Sequence, residues 1–261
     1  MLQRWWRRWQ GRRESAALAR RPIPDDLWKR TLLRYPFLQR PSVEDMATLR
    51  RMTSLFLDRK EFNAAPGVRL TDAVAVAVAA QACLPVLRLG LGAYDGFVGI
   101  VLHPDQVVAR RSVADDDGVV HEYDEVLAGE AMEGGPVMLS WRDVRSAGRS
   151  AAGGYNLVIH EFAHVLDMAD GVADGVPLLP PELSGAEWRA ILGADYEAFV
   201  ARVEADEQTA LDPYGAEGPE EFFAVASEAF FVSPQPMKKE HPVLYEVFVR
   251  YYQQDPAAEP P

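Results

Sequence analysis

Residues 156–171 read NLVIHEFAHVLDMADG, and within them His160, Glu161 and His164 have the types and spacing to hold a metal ion and put it to use. On a helix His160 and His164 lie one turn apart and project from one face, at a separation that a single ion can bridge. Neutral imidazole binds zinc at about 2.0–2.1 Å. Glu161, offset by about 100° around the helix, falls beside the ion rather than on it. There it can take a proton from zinc-bound water, whose pKa the metal lowers to roughly 7. For either histidine alone, a hydrogen-bonded core imidazole would be the better reading. With five histidines in 261 residues, however, His-Glu-x-x-His should arise only about 0.01 times by chance. The flanking Leu157, Val158, Ile159, Phe162, Val165 and Leu166 enclose the polar stripe in apolar surface, as a buried metal helix requires.

Two histidines need a third protein ligand, with one position left for water. In the pattern His-Glu-x-x-His-x-x-Gly-x-x-His that ligand follows a helix-ending glycine, but here Asp167 stands at the glycine position and Asp170 at the last one. Without the glycine to turn the chain, Asp170 is a poor candidate. Asp167 lies about 700° around the helix from His160, hence near the histidine face one turn farther on. It is expected to steady a ligand or a neighbouring cation rather than to ligate. The other source is a later helix, in LDPYGAEGPEEFFAVASEAFF (211–231), which offers Glu220, Glu221 and Glu228. Glu221 and Glu228 are seven apart and share a face, and an acid amid Phe222, Phe223 and Ala224 needs a partner if buried. The pattern alone leaves the choice open, because Glu220 and Glu221 also suit the positive N-terminus of a helix.

The elements that must position these residues are legible in part. Ser42 reads as the N-cap of a helix reaching about Leu57, and Thr71 with Asp72 caps a second, Ala73 to Leu84, apolar all round and so buried with Cys83 as a small core residue. Asp95 stands where a dinucleotide fingerprint beginning at Gly90 would want its third glycine, so that reading fails. Phe97–Leu102 and Pro136–Trp141 read as strands. The acidic, glycine-containing 115–135 between them reads as loop with one short strand near 119–123. Helices are then expected over Tyr155–Met168, Glu187 to about Asp206, Pro219–Phe231 and Val243–Tyr252. Sheet and helices first, then mostly helices, gives an α+β fold with a site between the two parts.

The formal charge of −12 is uneven: residues 1–21 hold seven Arg and one Glu, leaving 20 basic and 38 acidic residues in the remainder. A body that acidic repels nucleic acid. The division expected is a basic Arg/Trp-rich tail at 1–21, a single domain at 22–254 and a disordered Pro-rich tail at 255–261. The basic start lacks the apolar stretch of a secretory signal, and the longest apolar run, Ala73 to Pro85, is short of the roughly 20 residues that span a bilayer. One cysteine excludes an intramolecular disulfide, and together these features point to a soluble cytoplasmic protein.

NLVIHEFAHVLDMADG, followed some 50 residues later by Tyr214, Glu221, FFAV and Ser227-Glu228, resembles the Mlc titration factor A family of bacterial zinc peptidases. Over these two segments it is also similar to the catalytic domain of anthrax lethal factor. The resemblance implies a zincin-like, gluzincin-type fold and site: zinc held by His160, His164 and Glu221, Glu161 as general base, and Glu228 in a supporting place behind the ligands. Tyr214 stands at the family's spacing, seven residues before the ligand glutamate, and is implied to donate a hydrogen bond to the oxyanion formed in peptide hydrolysis. The Pro136–Trp141 segment could supply the edge strand along which a peptide lies, though a plain sheet strand is equally compatible. His103, His121 and His241 match no motif. Enterobacterial members of the family bind the glucose repressor Mlc and hydrolyse small peptides with aminopeptidase-like preference, so a repressor protein is an implied partner beside a peptide substrate. The competing reading is a regulatory binding protein with structural zinc. A structural site usually has four protein ligands, often cysteines, and would have no use for Glu161.

Overall fold

A computed structural model describes residues 14–114, 120–132 and 134–258, with backbone only over 107–127. Its helices are α1 (residues 14–20), α2 (Asp25–Arg34), α3 (Val43–Arg59), α4 (Asp72–Cys83), α5 (Trp141–Ser150), α6 (Leu157–Asp167), α7 (Gly185–Glu204), α8 (Pro219–Val232), α9 (Pro234–Glu240) and α10 (Pro242–Tyr252). The strands are β1 (Glu61–Ala64), β2 (Gly99–His103), β3 (Val107–Ala114), β4 (Val120–Leu127), β5 (Gly129–Ala131) and β6 (Val137–Ser140). The result is a mixed α/β fold with a small sheet and a mostly helical second half.

The caps explain where the helices begin. Ser42 Oγ accepts the Asp45 amide at 3.2 Å and Thr71 Oγ1 the Val74 amide at 3.4 Å, each satisfying a donor that the first turn leaves without an intrahelical partner. Helix α4 is buried from Val76 through Cys83, as its apolar composition requires. The sheet has the order β1-β2-β6-β5, parallel except for the β5–β6 pair. Segment 136–141 therefore supplies an interior strand, and the edge that faces α6 is the three-residue β5. Nor is 115–135 chiefly loop: β4 pairs antiparallel with β3 from Val107↔Leu127 to Ala114↔Val120, and β5 follows. Their charged, weakly apolar sequences hide these strands from a reading based on hydrophobicity.

Helix α6 packs on β5, β6, α4 and α8. Its Leu157, Val158, Ile159, Phe162 and Leu166 are each at most 2% exposed, and each such side chain contributes roughly 1.5–3 kcal/mol on burial. Phe162 meets Tyr94, Phe97 and Phe56 with ring centroids 5.0, 5.5 and 5.8 Å away, which fixes the rotation of α6 about its axis.

Both ends of the described chain are fastened. Residues 1–13 of the basic start lie outside the described residues, whereas within α1 Ala17 is buried and Arg20 grips Asp58 through two bonds of 2.9 and 2.7 Å. At the other end, residues 255–258 are folded rather than loose. The Ala257 amide donates to the Tyr245 hydroxyl at 2.8 Å, and that hydroxyl donates to Asp255 at 2.6 Å, so the tail gives a buried phenol its partners. Among the described residues no helix is long and apolar enough to cross a membrane.

Candidate metal centre

Helix α6 opens at Asn156, whose Oδ1 accepts the Ile159 amide at 3.0 Å. One turn on, His160 and His164 project together toward the first turn of α8, with their Nε2 atoms 3.2 Å apart. Helix α8 begins at Pro219, so Glu221 stands in that first turn. Its Oε2 lies 3.1 Å from His160 Nε2 and 3.4 Å from His164 Nε2. Those distances would suit hydrogen bonds, yet this buried oxygen makes none of acceptable geometry. The three atoms lie within 3.4 Å of one another, close enough for one ion to meet all three. Among the described residues they form the one cluster of histidine, cysteine and acidic side chains with metal-binding geometry.

Electrostatics reinforce the point. Burial raises the Glu221 pKa, but the adjacent imidazoles outweigh it and bring it down to about 2. Burial opposes charge on His160, but Glu228 and Glu221 outweigh it and raise its pKa well above the ordinary imidazole value. The cluster thus carries an excess of acceptors that a cation would satisfy. Glu161 is 4% exposed, and burial pushes its carboxyl up to about 8.

The sequence placed Glu221 and Glu228 on one face of their helix, and both reach His160. Glu228 Oε1 pairs with His160 Nδ1 at 2.8 Å, behind the cluster, while Glu228 Oε2 accepts the Asn156 amide. Asp167 is fully buried but contacts no ligand atom by hydrogen bond. Its Oδ2 accepts the Gly175 amide at 2.9 Å, and Oδ1 has no partner. Gly175 has φ of 75°, and a Cβ there would fall 2.6 Å from the Pro219 carbonyl oxygen. Asp167 therefore braces a loop that lies against the start of α8. Asp170 is exposed and accepts the Val172 amide in a turn, away from the cluster. Tyr214, 40% exposed, sits on the 3-10 turn Pro213–Ala216, and its ring centroid is 6.0 Å from that of His160. Asp212 Oδ1 caps the turn by accepting the Tyr214 amide at 3.0 Å.

Two features went unread in the sequence. Gly129, on the β5 edge, packs directly on the Glu161 carboxylate. Gln81, the lone amide in the buried stretch of α4, accepts from Asn156 Nδ2 at 2.9 Å. The signal for Gln81 was a polar side chain in an apolar helix; that for Gly129 exists only in three dimensions. Gly129, with Tyr214, Leu157 and Val225, lines a cleft of about 230 Å³ at His160 and Glu161. A larger groove of about 920 Å³ beside β1 gathers no imidazole.

A partly buried His-His-Glu cluster carried on two helices, with a carboxylate beside it, is the kind of centre found in metal-dependent hydrolases. The chain belongs to the family described as glucose-regulated metallo-peptidase M90, whose model matches residues 4–253. It is 42% identical over 194 residues to Mlc titration factor A of Edwardsiella ictaluri, covering 72% of each chain. It is 35% identical over 226 residues to Mlc titration factor A of Pectobacterium atrosepticum, covering 85% of this chain and 84% of that one. To an uncharacterized protein of Synechocystis sp. it is 36% identical over 241 residues, covering 92% of this chain and 87% of that one. Membership of this family implies a metal.

Proposed function

We propose that the chain is a zinc-dependent peptidase of zincin-like, gluzincin type, with His160, His164 and Glu221 as ligands, Glu161 as general base and Tyr214 as oxyanion donor. The observation that carries this reading is the ligand triangle, with sides of 3.1, 3.2 and 3.4 Å. Tetrahedral bonds of about 2.0–2.1 Å set ligand atoms roughly 3.3–3.4 Å apart, so the triangle fits zinc with little adjustment. Calcium and magnesium prefer oxygen ligands, and two imidazoles argue against both.

Bound there, the ion supplies a positive charge that acidifies water and polarises the scissile carbonyl. Glu161 takes the proton of the attacking water and returns it to the leaving amine. The Tyr214 phenol donates to the oxygen on which negative charge develops. Glu228 holds the His160 ring from behind by its Nδ1 proton, and Asp167 keeps the loop under α8 in place. Strand β5 comes last in the sheet order, beside Glu161, and an extended peptide laid along it would add as a further strand. The small cleft suits a short peptide and the removal of amino-terminal residues.

A second role is supported by the relatives' name, Mlc titration factor A: capture of a glucose repressor of the Mlc type. With a net charge of −12, the chain suits contact with the repressor protein rather than with DNA. A purely structural zinc in a non-enzymatic binding protein would call for a fourth protein ligand. Cys83 is free and buried within α4, outside the cluster. That free thiol also accords with a cytoplasmic setting.

The test is metal content and peptide hydrolysis for the wild type, Glu161→Ala and Glu221→Ala. Glu161→Ala is expected to keep zinc and lose hydrolysis, and Glu221→Ala to lose both. Cleavage by Glu161→Ala at the wild-type rate would overturn the enzymatic reading, and retention of a repressor by that variant would support the second role.

A further inference from the structure

Gln81 is fully buried in a helix whose other buried side chains are apolar, apart from the thiol of Cys83. An amide in such a place is costly unless both ends are hydrogen-bonded. Both are. Nε2 donates to the Ala77 carbonyl at 2.9 Å, which fixes Oε1 as the acceptor of Asn156 Nδ2, also at 2.9 Å. That bond in turn fixes Asn156 Oδ1 as the acceptor of the Ile159 amide at 3.0 Å, so the cap residue of α6 has one possible orientation. The Asn156 backbone amide donates to Glu228 Oε2, and Glu228 Oε1 faces His160 Nδ1 at 2.8 Å. Up to Glu228 each bond in this row has a settled donor and acceptor, because the Ala77 carbonyl can only accept and the Asn156 backbone amide can only donate. At its far end Glu228 Oε1 faces His160 Nδ1 at 2.8 Å, where an ionised carboxylate accepts from a proton on Nδ1, and Nε2 is the nitrogen that faces Glu221.

We propose that Gln81 and Asn156 are positioning residues that act through Glu228 to keep the proton of His160 on Nδ1 and its Nε2 open toward the metal. This rests on the reading of His160 as a ligand and adds that its presentation is set from α4, a helix that contributes nothing to the cluster itself. Groups behind a ligand are typically worth 10–100-fold in metal affinity.

The experiment uses the full chain and three variants. Gln81→Met keeps the length of the side chain but removes both hydrogen bonds. Asn156→Ser keeps a cap acceptor but removes the donor to Gln81. Val78→Ala, fully buried on the same helix, is a packing control with no polar role. Zinc affinity is measured by competition with a chelator. Solvent exchange of the His160 Nδ1 proton is measured by nitrogen-resolved NMR without added metal. Gln81→Met and Asn156→Ser should each weaken zinc binding by about 10-fold or more and speed exchange of that proton, whereas Val78→Ala should alter neither beyond twofold. Should Gln81→Met fail to fold, Asn156→Ser carries the same reading. Wild-type affinity and exchange in the polar variants, or losses matched by Val78→Ala, would overturn the proposal. A wild type that binds no zinc would instead overturn the ligand assignment, and the exchange measurement would still read the row of bonds.

Discussion

Gly129 and Glu161 are packed so closely that a Cβ placed on the glycine would lie 2.6 Å from the Glu161 carboxyl carbon. The edge strand thus lies against the carboxylate proposed as the base, with no side chain intervening. Gly129→Ala should push that carboxylate aside while leaving the ligands in place. A displacement of about 1 Å at a reacting group can cost 10²-fold. The expected outcome is a kcat lowered roughly 100-fold with stoichiometric zinc retained, measured by steady-state peptide hydrolysis and metal analysis. Undiminished turnover would mean that Glu161 can do its work from elsewhere or is not the base.

Tyr214 is the least buried member of the proposed machinery, and its position depends on the turn that Asp212 caps. Removal of one oxyanion donor costs about 10²–10³ in kcat. Tyr214→Phe should show that loss with KM and zinc content near wild type, because the ring is retained and no ligand is touched. Asp212→Ala should reproduce part of the loss by loosening the turn, and Asp212→Asn, which retains the acceptor, should restore most of it. A Tyr214→Phe variant with normal kcat would reduce the tyrosine to packing.

What could be read from the sequence divides along physical lines. Local, repetitive signals carried well: the spacing of His160 and His164 needs only helical geometry, and the caps at Ser42 and Thr71 need only the chemistry of a first turn. The shared face of Glu221 and Glu228 was also legible, but the partner of that face was not, because α6 and α8 meet across more than 50 residues of chain. Residues 107–131 gave the weakest signal, since β3 and β4 form a hairpin apart from the main sheet and are not marked by apolar alternation. The short edge β5 is three residues long, too brief for any period to show. Gln81 was visible as an exception in an apolar helix, yet its meaning depended on Asn156, which lies 75 residues away.

Asp167 predicts a pH effect on stability. Burial pushes its carboxyl up to about 6, from an ordinary value near 3.8. An acid whose folded pKa exceeds its unfolded pKa is bound to more protons in the native state, so stability falls as pH rises from about 4 to 6 and stays lower above that. Asp167→Asn retains an acceptor for the Gly175 amide and removes the buried charge. In metal-free protein at pH 7 it should therefore be more stable than wild type, by about 1–2 kcal/mol after allowance for the new amide. The difference should shrink below pH 4, where wild-type Asp167 is protonated. Chemical denaturation across this range decides the matter: a variant less stable at pH 7 would show that the ionised carboxylate is needed to hold the loop.

Removal of the metal should loosen the junction of α6 and α8, because the ligands come from both helices. An ion that binds only the folded state stabilises it by about 2.7 kcal/mol at a free concentration a hundred times its Kd. For a chain of this size that corresponds to a rise in Tm of roughly 5–10 °C. Chelator-treated wild type should show that fall in Tm, reversed by added zinc but not by magnesium, whose ligand preference the imidazoles do not meet. Glu161→Gln should respond to zinc as the wild type does, since it alters no ligand. Glu221→Gln should respond little, because the third leg of the triangle has lost its charge. Equal zinc-dependent shifts in both variants would show that Glu221 is not a ligand and that the two helices are joined by packing alone.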